Sequence, residues 1–268
     1  MTIYPCFPGG KLKAFTLSYD DGVVQDIRFI ELLNKYGLKG TFNLNSDLLD
    51  AEQRILTLEE ARKVYKGHEV AIHALQHPFL NKIPLEHATY CIAKDRENLE
   101  NMFGGTVRGC AYPFGATNDD VVTALKCCGI KYARTTKTTE NFNLPQEWLR
   151  WEPTCHHKNP NLMSICDTFV NQPNLPHRTQ LFSVWGHTYE FDNDNNWDMI
   201  EEFLKAVSGH DNIWYATNIE IYDYLAAYNS LITSYNLKHI HNPTATTVYF
   251  ALKYDQYCIK PGETIEFK

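Results

Sequence analysis

Hydrophobic and polar residues follow two periods along this chain, and the two periods alternate. Short apolar runs, typical of buried strands, are followed by segments in which apolar residues recur every three or four positions, as in helices. In one such segment Ile27, Ile30, Leu33 and Tyr36 share one face, and Gly37 ends the pattern. The regular exchange of the two periods predicts a succession of β–α units.

These units extend over most of the chain. The predicted strands are 13–19, 40–45, 69–74, 107–114, 131–135, 181–187 and 213–217. The predicted helices are 23–37, 57–67, 85–104, 118–129, 197–209 and 220–232. Repeated β–α units favour a parallel sheet with helices outside it. We therefore predict an α/β fold, a distorted (β/α)7-8 barrel, with a doubly wound open sheet as the alternative.

Two regions depart from this order. Residues 141–178 are rich in Asn, Pro and His and predict long connections around a short strand at 148–153. From residue 237 onward, two β-type runs are joined by a Pro-Gly turn signal. We therefore predict a barrel over residues 1–236, with residues 237–268 forming a small C-terminal β-hairpin appendage packed on the same domain.

The composition argues against two classes of binding partner, nucleic acids and membranes. The chain has 268 residues with 25 Lys and Arg against 32 Asp and Glu and no basic stripe, so we expect no nucleic-acid partner. No run approaches the ~18 apolar residues that a membrane span needs. The N-terminus lacks the apolar segment of a signal peptide, so we expect a cytoplasmic protein without membrane contact. Eight cysteines without a Cys-x-x-Cys pair predict reduced thiols, and the oligomeric state stays open.

Titratable residues stand where several predicted strands end. Asp20 and Asp21 follow the first strand, His73 and His77 follow the third, and His187 ends the sixth. In parallel α/β folds the carboxyl ends of the strands form the active-site edge. We therefore expect these side chains to converge at one end of the barrel.

The adjacent acids of this group can be explained in two ways. Asp-Gly is a common turn dipeptide, but like charges repel unless a cation lies between them or one acid keeps its proton. His73 and His77 are four residues apart and could reach one ion, although such pairs are also common on surfaces. With a carboxylate from a neighbouring strand end they would form a His2Asp site with an open position for water. The other carboxylate could then act as general base.

Four short motifs carry a resemblance to a known family. The chain contains "SYDDG", then "HALQH" with Ala74 where Ser or Thr is usual, then "AYPFG", and finally "LFSVWGH". In this order, over roughly residues 14–190, the motifs resemble those of the polysaccharide deacetylases of carbohydrate esterase family 4. The resemblance implies a distorted (β/α) barrel with a metal-dependent deacetylase site.

The resemblance also implies a role for each motif residue. Asp20 would be the general base, His187 the acid that protonates the leaving amine, and Phe114 the donor of a backbone N–H to the oxyanion. A divalent metal, most often zinc in the family, would be held by Asp21, His73 and His77. The reaction implied is removal of acetyl groups from N-acetylated sugars or oligosaccharides with release of acetate. O-acetyl ester cleavage is close chemistry on the same residues.

Two departures from the family pattern affect the site. The third-motif arginine, which orients the base in the family, is Ala111 here. The fourth motif usually has an acid near a tryptophan, whereas this chain has Arg150 before Trp151. We hypothesise that Arg150 pairs with Asp20 across the barrel mouth, because a guanidinium can hold a carboxylate from more than one position. Arg108 is the competing candidate.

Several further residues near the strand ends are candidates for the site. Tyr112 and Trp151 are predicted to stack on sugar rings. Cys155–His157 could be a second soft-metal site, but a loop at the edge of the site is the favoured interpretation. Glu190 has no predicted role, since it could hold either a hydroxyl group or a neighbouring loop.

Two other functions compete with the deacetylase. A sugar-binding protein on a decayed deacetylase scaffold is favoured by the missing arginine and opposed by the retained acids and histidines. Bound metal together with acetate release would distinguish it from the enzyme. A glycosidase would need a second carboxylate about 5–9 Å from the first, and the sequence offers no convincing partner.

Overall fold

A curled sheet of parallel strands forms the centre of the molecule. The computed structural model describes residues 2–51, 55–175 and 177–268. In chain order, its strands are β1 Ile3–Cys6, β2 Lys13–Asp20, β3 Thr41–Leu44, β4 Glu69–Ile72, β5 Gly109–Ala111, β6 Tyr132–Arg134, β7 Cys155–His156, β8 Gln180–Gly186, β9 Ile213–Tyr215, β10 Ile232–Thr233, β11 His239–His241, β12 Val248–Leu252, β13 Asp255–Ile259 and β14 Thr264–Glu266. The helices are α1 Asp26–Lys35, α2 Leu58–Val64, α3 Leu85–Phe103, α4 Asp119–Cys127, α5 Leu162–Asn171, α6 Tyr189–Asn193, α7 Trp197–Val207 and α8 Asn218–Asn229.

The central sheet has the strand order β6-β5-β4-β3-β2-β8-β7, and β9 also pairs with β2. All of these pairings are parallel. Strand β2 is buried over its whole length and pairs with three neighbours. Four of its eight residues are polar or charged and are nevertheless buried, among them Asp20 at its carboxyl end.

One short segment links the two edges of this curled sheet. Trp151 forms a parallel bridge with Arg134 at the end of β6. A few residues later, β7 pairs with β8 on the other side. Between these two contacts the backbone N–H of Thr154 donates to Ser183 of β8 at 3.0 Å. The prediction of a distorted (β/α)7-8 barrel is confirmed, and the distortion lies where one irregular segment replaces regular strands.

The helices follow the predicted order with two additions. Helix α2 begins with the capping box of Thr57 and Glu60, and α8 begins with a second box of Thr217 and Glu220. Helix α5 lies inside the segment that we predicted to be connections, and it buries Leu162, Cys166 and Phe169 on one face. The short helix α6, directly after β8, was also not predicted. Among the helices of the described ranges, none is both long and apolar enough to cross a membrane.

Two small antiparallel sheets pack beside the barrel and contain most of residues 237–268. Their strand orders are β1-β12-β13 and β10-β11-β14. Tyr224 of α8 connects one of them to the barrel, because its hydroxyl donates to Cys6 O at 2.7 Å and accepts the N–H of Tyr249 at 2.9 Å. The C-terminal strands therefore pair with strands from earlier in the chain, in addition to each other.

Candidate active site

The five strand-end residues lie together at the carboxyl end of the barrel. His73 Nε2 is 3.9 Å from Asp20 Oδ2 and 3.7 Å from Asp21 Oδ1. His77 Nε2 is 3.9 Å from Asp21 Oδ1, and His187 Nε2 is 4.0 Å from Asp20 Oδ2. The expected convergence of these side chains is thus present, and two imidazoles approach the same oxygen of Asp20.

The loops that carry these residues contain left-handed backbone at positions other than glycine. Asp21 has φ 81°, His77 has φ 56° and Phe114 has φ 59°. A left-handed conformation is uncommon for residues with a side chain and costs free energy, so it persists where the surrounding structure enforces it. Gly22, with φ 68°, follows Asp21 and allows the chain to leave the strand sharply. The turn interpretation of Asp-Gly is therefore confirmed, and it is compatible with the predicted role of Asp21 as a metal ligand.

The Asp21, His73 and His77 ligand atoms all lie within 4.8 Å of one another. His73 Nδ1 is 2.8 Å from the carbonyl oxygen of Ala111, and a carbonyl can only accept, so Nδ1 carries the proton. In the neutral imidazole, His73 Nε2 is then the nitrogen without a proton, and it faces Asp21, which is the tautomer that a metal-ligating imidazole needs. Burial and the neighbouring His73 lower the pKa of His77, which favours its neutral form as well. The three residues fit a divalent cation.

The partner of Asp20 is Arg134, which our sequence analysis did not identify. Arg134 Nη2 lies 2.5 Å from both carboxylate oxygens of Asp20, and Nε donates to Ser18 Oγ at 3.1 Å. Asn43 Nδ2 adds a further bond to Asp20 Oδ1 at 2.8 Å. Asp20 and Arg134 are each only 2% exposed, so the ion pair is shielded from solvent.

These contacts determine the charge of the base candidate. Burial by itself would raise the pKa of Asp20, but the charge of Arg134, with smaller contributions from His73 and His187, outweighs burial. The result is a pKa lowered from 3.8 to about 2. Asp20 is therefore an ionised carboxylate across the neutral pH range.

The predicted pairing of Arg150 with Asp20 is wrong. Arg150 binds the exposed carboxylate of Asp119 and, at 2.7 Å, that of Glu147. The competing candidate Arg108 binds Asp223 at 2.6 Å instead. The role predicted for Arg150 or Arg108 belongs to Arg134, because Arg134 is the direct register partner of Ala111 on the adjacent strand. The guanidinium that is missing from the end of β5 is supplied at the same level by β6.

The two predicted sugar-stacking residues are also wrong. Tyr112 is 1% exposed and donates its hydroxyl to Leu149 O at 2.6 Å. Trp151 is 3% exposed and packs edge-on against Tyr132 and Trp148 in a core cluster. Neither ring offers a face to a ligand.

The exposed aromatic surface beside the site belongs instead to Phe114 and Phe79. Phe114 is 52% exposed, its ring stacks on Phe79 with centroids 3.7 Å apart, and it contacts the ring of His77 at 4.4 Å. Phe79 follows "HALQH" by two residues, and its proximity to that motif was the available sequence signal. The role of the Phe114 backbone N–H remains a prediction.

His187 lies beside Asp20 and also contacts a second group of polar residues. Its Nδ1 is 3.3 Å from Glu190 Oε2, and the same oxygen is 3.2 Å from His156 Nε2 and 3.4 Å from His157 Nε2. Burial would lower the pKa of His187, but the hydrogen bond to Glu190 and the charges of Asp20 and Asp21 raise it above the ordinary value. The protonated form of His187 is therefore more stable relative to the neutral form than in an ordinary histidine.

A cavity of about 250 Å³ adjoins the site, and its walls combine polar and apolar side chains. Asp21 and His77 border it on the polar side, and Val23, Leu48 and Ile55 contribute apolar surface. A concave site with mixed walls is typical of small-molecule binding.

Comparisons with known proteins agree with this geometry. A family model described as polysaccharide deacetylase matches residues 9–133. No curated protein matches the chain. The chain spans about half the length of two matching solved structures, 55% of one and 44% of the other.

Three solved structures match over most of the chain. A presumed polysaccharide deacetylase from Mycobacterium smegmatis has a TM-score of 0.63 at 15% identity, covering 84% of this chain and 94% of that one. A family 4 carbohydrate esterase from Streptomyces lividans, in complex with acetate, has a TM-score of 0.51 at 14% identity, covering 77% and 93%. A family 4 pseudoenzyme from Bacillus anthracis, of which a mutant has restored activity, has a TM-score of 0.54 at 18% identity, covering 82% and 68%.

At these identities the solved structures establish the fold alone, while the family model covers the first three motifs. Residues 9–133 match the polysaccharide deacetylase family model, and the barrel has the fold of the family 4 carbohydrate esterases.

Proposed function

We propose that the protein is a metal-dependent hydrolase that removes acetyl groups from N-acetylated sugars or oligosaccharides and releases acetate. One observation carries the proposal. The ionised carboxylate of Asp20 lies close both to a histidine suited to hold a metal, His73 at 3.9 Å, and to a histidine suited to carry a proton, His187 at 4.0 Å. A base, a cation site and an acid at one end of the barrel are the components of amide hydrolysis.

Asp21, His73 and His77 would hold the divalent cation, for which zinc is our first candidate. Bound there, it would polarise the acetyl carbonyl and acidify water, so that even a carboxylate with a low pKa can serve as base. His73 is fixed for this purpose from two sides. Its ring donates to Ala111 O, and its backbone N–H donates to the buried carboxylate of Asp95 at 3.1 Å.

Asp20 would accept the proton of the attacking water. Arg134 and Asn43 hold the carboxylate in one orientation, and the ion pair keeps Asp20 ionised in a buried position where an unpaired acid would be protonated. Among the expectations drawn from the sequence, the missing third-motif arginine was the one that favoured a decayed, sugar-binding scaffold. The Asp20–Arg134 pair removes that reason.

His187 would donate a proton to the nitrogen that leaves as the amine. Its raised pKa keeps the ring protonated at a pH where an ordinary histidine is partly neutral. Its Nε2 and His73 Nε2 both lie about 4 Å from the same oxygen of Asp20, so we propose that the acid and the cation site act on the two ends of one scissile bond. An O-acetyl ester would need the same residues, and substrate screening separates the two activities.

An acetate-release screen tests the proposal. N-acetylated amino sugars, their oligosaccharides and O-acetylated sugars would be incubated with the protein before and after chelation, and again after adding back zinc or another divalent metal. We expect acetate from an N-acetylated substrate, loss of activity on chelation, recovery on add-back and no activity in Asp21→Asn. Activity that is indifferent to chelation and to Asp21→Asn would contradict the metal mechanism. Bound metal without acetate release from any substrate would favour the sugar-binding alternative.

A further inference from the structure

A second cluster of possible metal ligands lies behind His187. It consists of His156, His157 and Glu190, whose ligand atoms are also within 4.8 Å of one another. The His157 ring is buried, and neither of its nitrogens has a hydrogen-bond partner in the part of the chain that the structure describes. Taken by composition and spacing alone, this cluster would be a second cation site.

The hydrogen bonds of His156 indicate a different arrangement. The backbone N–H of Lys158 donates to His156 Nδ1 at 3.1 Å, so Nδ1 is an acceptor without a proton. In a neutral imidazole the proton is then on Nε2. His156 Nε2 lies 3.2 Å from Glu190 Oε2 and is therefore a donor to the carboxylate, which leaves it no lone pair for a metal.

A fixed positive charge also occupies the other side of Glu190. Lys158 Nζ is 3.1 Å from Glu190 Oε1 and 2.7 Å from Asp194 Oδ2. A metal ion at this carboxylate would have to lie beside an ammonium group. Burial would raise the pKa of Glu190, but the hydrogen bonds and charges of His156, His187 and Lys158 lower it well below its ordinary value. The lysine thus completes the neutralisation that a cation would otherwise provide.

We propose that Glu190 is the positioning residue for His187, and that His156 and Lys158 hold Glu190 ionised for this role. Glu190 Oε2 accepts from both the backbone N–H of His187, at 3.2 Å, and its ring Nδ1–H, at 3.3 Å. The ring bond places a proton on Nδ1, and the two bonds together fix the rotation of the imidazole. Nε2, which carries the transferable proton when the ring is an imidazolium, then faces Asp20. The inference rests on the proposed function, in which this proton passes to the leaving nitrogen.

The charged and titratable groups around His187 come from several elements. Asp20 and Asp21 face it from the end of β2, His156 from β7 at a ring distance of 6.3 Å, and Glu190 from α6. His157 also contacts Glu190, but burial and His156 lower its pKa to about 2, so it adds no charge. Glu190 is the carboxylate in hydrogen-bond contact with the imidazole, and its removal should therefore have the clearest effect on His187.

Glu190→Gln tests the role in catalysis. We expect kcat to fall about tenfold or more, which corresponds to ~1.4 kcal/mol, with KM changed less than about threefold. Activity needs protonated His187, so it declines as pH rises through the pKa of that residue. Glu190 raises this pKa, and the alkaline limb of the pH profile should therefore move to lower pH in Glu190→Gln. Glu190→Asp keeps the charge and should return the limb toward its wild-type position.

The matched control is Asp194→Asn, which removes a carboxylate from the same lysine without touching His187. It should leave kcat within about twofold and the alkaline limb in place. An equal shift of the limb in Asp194→Asn and Glu190→Gln would overturn the proposal, because the effect would then be one of general charge.

A second readout does not depend on any substrate. The imidazole signal of His187, assigned with His187→Asn, would be titrated by NMR in the zinc-loaded wild-type protein and in Glu190→Gln. A titration at lower pH in the variant supports the proposal, and an unchanged titration contradicts it. The zinc content should be one ion per chain in both proteins, whereas a second ion that is lost in His156→Gln would overturn the proposal. If wild-type protein releases no acetate, the proposed function fails, while this titration still decides the role of Glu190.

Discussion

Two clusters of histidine and carboxylate side chains lie at the same end of this barrel, and they differ in what the second nitrogen of a key imidazole contacts. In the cluster of Asp21, His73 and His77, the Nδ1–H of His73 donates to a carbonyl oxygen, so in the neutral ring Nε2 has a free lone pair. In the cluster of His156, His157 and Glu190, Nδ1 of His156 accepts a hydrogen bond from a backbone N–H, which makes Nε2 a donor. The first arrangement suits a metal ligand and the second suits a hydrogen-bond network.

The positive charge around the carboxylate of each cluster, Asp21 in the first and Glu190 in the second, supports the same distinction. In the described part of the chain, the ion-pair partners of Asp21 are His73 and His77. Glu190, by contrast, has a lysine at 3.1 Å in addition to its histidines. A metal site and a hydrogen-bond network can therefore have the same spacing of side chains. The ring nitrogen that carries the proton in each imidazole distinguishes the metal site from the network.

Replacing one histidine in each cluster should give the largest difference in metal content and activity between the two clusters. His73→Gln should lower metal affinity by more than about 100-fold and activity by more than about 1,000-fold, because one of three ligands is lost. His156→Gln should leave the metal content unchanged. Elemental analysis of purified variants and acetate release measure both effects. Equal loss of metal in the two variants would contradict the distinction.

The pair between Asp20 and Arg134 should give the next largest effect. Arg134→Gln leaves a buried carboxylate without its cation, and removal of one partner of such a pair typically costs about 3–5 kcal/mol of the free energy of unfolding. We also expect kcat/KM to fall about 100-fold, because Asp20 loses both its orientation and its charge. Urea unfolding and acetate release measure the two quantities.

The double variant Asp20→Asn/Arg134→Gln is the control for that experiment. It removes both charges and should recover part of the lost stability while activity stays low. A single variant Arg134→Gln that loses less than about 1 kcal/mol of stability would mean that the buried pair does not form in solution.

The strand-end residues could be predicted because they follow from local periodicity. Asp20, His73 and His187 each come directly after an apolar run, and in a parallel barrel all such runs end at one face. The identity of the base's partner could not be obtained in this way. It depends on the register of Ala111 opposite Arg134, which is set by the pairing of two strands and leaves no local trace in the sequence.

The wrong predictions have related causes. Tyr112 and Trp151 lie near strand ends in sequence, but which side a ring faces is decided by the irregular segment that connects β6 to β8. Helix α5 was missed because Asn- and Pro-rich flanks concealed a short amphipathic stretch. Strand β1 was not predicted because its antiparallel partner, β12, lies more than 240 residues away in the chain.

Lys158 offers a sharper test of the second cluster. If Glu190 belongs to a hydrogen-bond network, Lys158→Met removes one of its donors and should lower kcat about threefold, with the metal content unchanged. If the cluster were instead a cation site, loss of the ammonium group would strengthen metal binding there. Metal titration of the variant followed by elemental analysis distinguishes these outcomes, and a second bound ion would overturn our comparison of the clusters.

Arg150→Ala should have the smallest effect of the series. Arg150 resembles Arg134 in sequence, since each lies near the end of a strand-like segment, but its partners Asp119 and Glu147 are exposed and its guanidinium does not reach Asp20. Exposed ion pairs contribute about 1 kcal/mol or less to stability, because water and salt screen them. We therefore expect kcat within about twofold of wild type and little change in the urea midpoint. A loss of activity comparable to that of Arg134→Gln would mean that the guanidinium supporting Asp20 during the reaction comes from Arg150, and the buried pair would then be a structural feature only.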